Sequence, residues 1–178
     1  MKAIMSGEAS AQEMEDFLSA LRAKGYSVEE ITGAARTMRE FSLKVQACDP
    51  IVLDTCGTGG DKKGTFNIST TVAIIAASAG VVTAKHGNRS VSSPCGSADV
   101  LEALGVKIDL NPKQAESCLE EAGIAFLFAP AFHPAMKHVA PIRKKLGVTI
   151  FNILGPLVNP ASATHQIVGV YDETYMEP

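Results

Sequence analysis

Asp54-Thr55-Cys56-Gly57-Thr58-Gly59-Gly60-Asp61, followed by Asn67-Ile68-Ser69-Thr70-Thr71, has the residue types of a phosphate-cradling loop that leads into a helix. Three glycines between Gly57 and Gly60 permit positive φ and leave no side chain between the backbone amides and an anion. Downstream, Asn67 is suited to cap the apolar helix that runs from Val72 to Ala79, whose first-turn N–H groups are expected to face the loop. The ligand chemistry this predicts is a phosphate or pyrophosphate.

A second polar run, Lys85-His86-Gly87-Asn88-Arg89-Ser90-Val91-Ser92-Ser93, follows the short apolar stretch from Val81 to Ala84 and precedes Gly96-Ser97-Ala98-Asp99, which opens another helix. Two anion-suited loops after two consecutive strands imply one shared site at the carboxyl edge of a sheet. No Gly-Lys-Ser or Gly-Lys-Thr closes the first loop, and the spacing does not fit a dinucleotide fingerprint, so a P-loop NTPase or a Rossmann dehydrogenase is disfavoured.

The elements that must hold these loops follow from periodicity. Met14, Phe17, Leu18 and Leu21 predict a helix over 10–23 with Ser10 as its cap, and Ser27 opens a second supported by Val28, Ile31, Ala34, Ala35 and Met38. Near Asp49-Pro50 the helical period gives way to short apolar runs, which divides the chain into a helical domain over 1–48 and an α/β domain over 49–178. Strands are expected at 51–55, 81–84, 124–128 and 166–171. Helices are expected at 67–79, 97–104, 112–122 and 134–146. Such alternation gives a mainly parallel sheet with crossover helices. Asp172-Glu173 reads as a turn, and Glu120-Glu121 as a solvated helix face.

With 178 residues and 46% apolar content the chain has enough material for a core. No stretch reaches the roughly 20 apolar residues of a membrane helix. Met1 to Ala11 lacks a signal core, so a cytoplasmic setting without membrane contact is expected. Cys48, Cys56, Cys95 and Cys118 form no metal-ligand pattern and read as structural thiols, and a Cys-His nucleophilic pair with His86 is disfavoured. A net charge of −3 argues against a nucleic-acid partner.

Gly57-Thr58-Gly59-Gly60-Asp61, Asn67-Ile68-Ser69-Thr70, Lys85-His86-Gly87-Asn88-Arg89, Gly96 to Gly105, His133-Pro134-Ala135-Met136-Lys137 and Phe151 to Leu157 occur in the order found in the anthranilate phosphoribosyltransferase family, which the chain resembles over nearly its whole length. The resemblance implies a small helical domain followed by the first part of a phosphoribosyltransferase/nucleoside phosphorylase-like α/β domain. It implies transfer of the phosphoribosyl group from phosphoribosyl pyrophosphate to anthranilate, with Mg2+, in a homodimer built through the helical region. For the donor it implies Gly57, Gly60, Asp61, Thr65, Asn67, Ile68, Ser69 and Thr70, then Lys85 as a point charge for a phosphate with His86, Gly87, Asn88, Arg89, Ser90, Val91, Ser92 and Ser93, and Ser97. For anthranilate it implies Gly57, Asn88 and Arg143, and for magnesium Ser69. No side chain is implied as nucleophile or general base, and His86 and His133 are expected to pack or hydrogen-bond.

The chain departs from the family at Pro94, which often is lysine there, and between Val148 and Thr149, where an arginine is usual. The family's acidic metal pair lies beyond residue 178, and the isolated chain is expected to be inactive. A pyrimidine nucleoside phosphorylase-like enzyme and a non-catalytic phosphate-ligand-binding or dimerisation fragment are the alternatives.

Overall fold

The computed structural model describes residues 1–59, 64–90 and 95–176. Gly60, Asp61, Val91, Ser92, Ser93 and Pro94 lie outside the described residues. The first layer is helical: α1 (Lys2–Ser6), α2 (Ala11–Lys24) and α3 (Val28–Glu40). Ser10 and Ser27 each accept the backbone N–H three residues on, while Glu13 and Glu30 reach back to the cap amides, so both helices begin at capping boxes.

The sheet follows as β1 (Leu53–Gly57), α4 (Ile68–Ser78), β2 (Thr83–Gly87), α5 (Ser97–Ala103), α6 (Pro112–Ala122) and β3 (Ile124–Phe128). Its order is β3-β2-β1-β4, all parallel, with β4 (His165–Gly169) on the open edge. The order reverses between β1 and β4, the switch point at whose carboxyl end open parallel sheets bind ligands. One face carries Ala84, Ala125 and Leu127 against Ala115, Leu119 and Phe132, and the other packs Phe126 against Ala98, Leu101 and Ile108. Along β4 every residue is exposed, and Ile74 and Ile75 of α4 are exposed as well.

β1 and β2 each begin two residues later than the periodicity predicts and end two and three residues later, because Ile51 stands outside the ladder and Lys85 to Gly87 still belong to it. The expected helix over 134–146 is divided. After α7 (Ala129–Phe132), Pro134–His138 forms a 3-10 turn and α8 (Ala140–Leu146) restarts with Pro141 in its first turn, where a residue without an N–H is tolerated. α9 (Phe151–Leu154) then turns into Gly155–Leu157.

The helical layer does not form its core alone. Leu18, Leu21, Ala34 and Met38 pack with Val139, Ile142, Ile150, Phe151 and Leu154. Gly7, at φ 79°, lets α1 approach that second segment so closely that a Cβ would lie 2.7 Å from the His138 ring. Arg22 donates to the carbonyls of Leu146 at 2.8 Å and Val148 at 3.4 Å, holding the short connection to α9.

Candidate functional site

β1 and β2 run side by side, so the loops that follow them emerge together at the carboxyl edge. The first loop is tied to the edge strand, with the Thr58 amide donating to the Gly169 carbonyl at 2.9 Å. Under it lies Lys85, only 2% exposed. Its ammonium donates to the Thr55 carbonyl at 2.5 Å and to Ser69 Oγ at 3.1 Å, and Thr55 Oγ1 donates to the Ser69 carbonyl at 2.7 Å. The point charge expected to meet a phosphate is therefore turned inward, where it tethers the start of α4 to β1. Burial lowers the Lys85 pKa, opposed by the Asp54 charge.

Asn67 does not cap α4 with its side chain. Its Nδ2 donates instead to the Cys95 carbonyl at 3.2 Å, which joins the two loops. The Ile68 amide is taken by the Phe66 carbonyl, and those of Thr70 and Thr71 by the Asn67 carbonyl, so the expected free donors are reduced. Ser69 Oγ, with two acceptor lone pairs of which Lys85 uses one, remains available to a ligand.

The second loop is shaped by Asp99. Its carboxylate accepts from the amides of Ser90 at 3.0 Å and Gly96 at 2.8 Å, which lowers its pKa. Gly96 admits no side chain, since a Cβ would strike the backbone of Arg89 and Ser90. The Arg89 guanidinium, expected at the donor, bonds Glu102 at 2.8 and 3.0 Å and Asp99 at 3.1 Å and lies 5.7 Å over the Phe128 ring. Glu102 and then Asp99 raise its pKa. Asn88 is exposed, with Oδ1 accepting the Arg89 amide at 2.7 Å. Ser97 lies beside Gly87, and Thr65 is exposed on the approach to α4.

Arg143, on α8, is partly buried, and its guanidinium sits 5.3 Å over the Phe151 ring. Nε has no hydrogen-bond partner and, among the described residues, no carboxylate pairs with the charge. Burial alone accounts for the lowering of its pKa. Four residues beyond Phe151, the Gly155 carbonyl meets His86 Nδ1 at 3.0 Å, which joins the Arg143 side to the β2 loop.

His86 and His133 are buried with ring centroids 5.1 Å apart. A carbonyl only accepts, so His86 carries its proton on Nδ1, and Nε2 has no partner, as in His133. Burial lowers His86 to about 4 and His133 to about 3. Both stay neutral when folded, so stability present above the unfolded value of 6.5 is lost as pH falls toward about 4. By pH 5 the loss is expected to be about 2 kcal/mol for each ring. Thermal melts between pH 7 and pH 5 check this. His133→Phe should flatten the slope, and an unchanged slope would show that these rings do not control it.

Burial, then the Asp54 charge, pushes the Cys56 thiol far up, so Cys56 is no nucleophile beside His86. Among the described residues no group of three or more His, Cys, Asp or Glu side chains could hold a metal ion. Sequence reasoning named Asp54 and Asp99 within their motifs without giving either a role, and passed over Gln166. Gly96 followed three residues later by Asp99 is a capping spacing, and Asp54 is a charge at the end of an apolar strand; both were available signals. Gln166 had none.

Among the described residues no helix is long and apolar enough to cross a membrane. The chain is 58% identical over 178 residues to an anthranilate phosphoribosyltransferase of Alkaliphilus metalliredigens, covering 99% of this chain and 52% of that protein. The solved anthranilate phosphoribosyltransferase of Thermus thermophilus superposes with a TM-score of 0.93 at 48% identity, over 98% of this chain and 53% of that one. The Saccharomyces cerevisiae enzyme in complex with PRPP and Mg gives 0.84 at 37% identity, over 92% and 47%. The same yeast enzyme with 4-fluoroanthranilate gives 0.81 at 34%, over 97% and 50%. The chain thus spans about half the length of the relatives it matches. Residues 1–42 match the description "Glycosyl transferase family, helical bundle domain" and residues 49–178 match "Glycosyl transferase family, a/b domain"; the chain belongs to this glycosyl transferase family.

Proposed function

We propose that these residues form the donor and acceptor surfaces of an enzyme that transfers the phosphoribosyl group from phosphoribosyl pyrophosphate to the amine of anthranilate in tryptophan biosynthesis. Arg143 carries the reading: a partly desolvated guanidinium beside an aromatic ring, without a counter-charge among the described residues, is a receptor for an aromatic carboxylate. The donor lies across the β1 and β2 loops, on Gly57, Gly60, Asp61, Thr65, Asn67 to Thr70, Gly87 to Ser93 and Ser97, with Lys85 beneath. The yeast relative's complexes support both halves.

The C–O bond to pyrophosphate breaks as the amine nitrogen bonds the ribose carbon, and the amine then loses a proton to solvent. No enzyme nucleophile is needed. The loops supply positioning, and their amides and hydroxyls stabilise the charge that grows on the departing pyrophosphate. A magnesium ion held mostly by substrate oxygens and water fits the lone Ser69 hydroxyl better than a protein cage would, and when bound it neutralises phosphate charge. The same reading includes a homodimer through the helical layer, where Phe17 and Val28 are exposed, and a cytoplasmic setting. A monomer in sedimentation would contradict the dimer.

The test is a full-length enzyme containing these 178 residues, assayed with donor, magnesium and anthranilate. Donor consumption that depends on anthranilate is expected. Phosphate-dependent cleavage of pyrimidine nucleosides instead would assign a phosphorylase, and neither activity would leave a binding fragment. Ser69→Ala is expected to raise the magnesium concentration for half-maximal rate by roughly tenfold, the scale of a lost metal partner. An unaltered titration would remove Ser69 from the metal site.

A further inference from the structure

Asp54 is fully buried near the start of β1, and its side chain and that of Thr55 point to opposite sides of the sheet. Its Oδ1 accepts the His86 amide at 3.0 Å, and its Oδ2 accepts Gln166 Nε2 at 2.9 Å from the paired position on β4. The same Gln166 amide group donates to the Pro156 carbonyl at 2.5 Å. His86, fixed through its amide by Asp54, holds the neighbouring Gly155 carbonyl through its ring. Two adjacent carbonyls of one turn are thus held by donors that both depend on a single carboxylate.

That turn links the two segments that carry the proposed acceptor contacts. Asn88 follows His86 by two residues, and Arg143 rests on Phe151 of α9, whose last residue, Leu154, directly precedes Gly155. Neither Asp54 nor Gln166 belongs to the loops that would meet substrate. Resting on the proposed reaction, we propose that Asp54 and Gln166 are positioning residues, which set the distance between Asn88 and Arg143 by clamping the Gly155–Pro156 turn to the β2 loop.

Gln166 stands on the exposed edge strand, so Gln166→Met keeps its length and removes both donors without emptying a core. In the full-length enzyme it is expected to raise the Michaelis constant for anthranilate about tenfold while the donor constant and kcat stay within about twofold. Asp54→Asn should show the same split more strongly and accelerate hydrogen exchange at the His86 amide, because an amide cannot offer acceptors to both neighbours. A purely structural role would lower the melting temperature and move both substrate constants together. A parent enzyme without anthranilate-dependent turnover overturns the proposed reaction, and the clamp's role with it. An active parent whose anthranilate constant is unchanged by Gln166→Met, or whose two constants rise equally, overturns the clamp alone.

Discussion

Arg143→Ala, in a full-length enzyme containing this chain, is expected to raise the Michaelis constant for anthranilate about a hundredfold while the donor constant changes by less than about threefold. The guanidinium is held over Phe151 and already partly desolvated, so a carboxylate that meets it gains charge-assisted bonds without first stripping a full water shell. Alanine leaves the substrate carboxylate facing an apolar ring. Arg143→Lys is expected to recover little, since an ammonium has neither the planar fork nor the stacking face. Steady-state kinetics with each substrate varied in turn settles the matter. Equal effects on both constants would assign Arg143 to folding or to closure of the site.

Lys85→Met is expected to weaken phosphoribosyl pyrophosphate binding about a hundredfold by calorimetry, with a fall of several degrees in melting temperature. Methionine replaces the buried stem, but the Thr55 carbonyl and the Ser69 hydroxyl lose the donor that holds them together. A buried acceptor left without its partner costs about 1–3 kcal/mol. The start of α4 and the base of the glycine loop would then drift apart, which displaces Ser69 from any ligand the loops share. Donor affinity within about threefold of the parent would show that the tether does not organise the site.

The elements were legible because their signals are local. Ser10 and Glu13, or Asn111 and Gln114, lie one helical turn apart and close capping boxes whatever the rest of the chain does. The Gly57–Gly59 run and the Lys85–Ser90 run marked both site loops, and strand–helix alternation announced a parallel sheet. Helix 134–146 failed as a single element because its prolines break the amide ladder that periodicity alone assumes.

The glycine loops, the helix starts and the parallel α/β class were written in the residues alone, since each depends on backbone freedom or on residues within a few positions of one another. Long-range packing turns Lys85 inward to Ser69, gives Arg89 to Glu102 and Asp99, and leaves Arg143 with no counter-charge among the described residues. It likewise brought residues 139–158 into the core of the helical layer and placed Gln166 against Asp54 across 112 positions. Strand register governs this: pairing Asp54 with Gln166 and Leu53 with Thr83 fixes which side chains share a face, and a one-residue slip would send each to the other side.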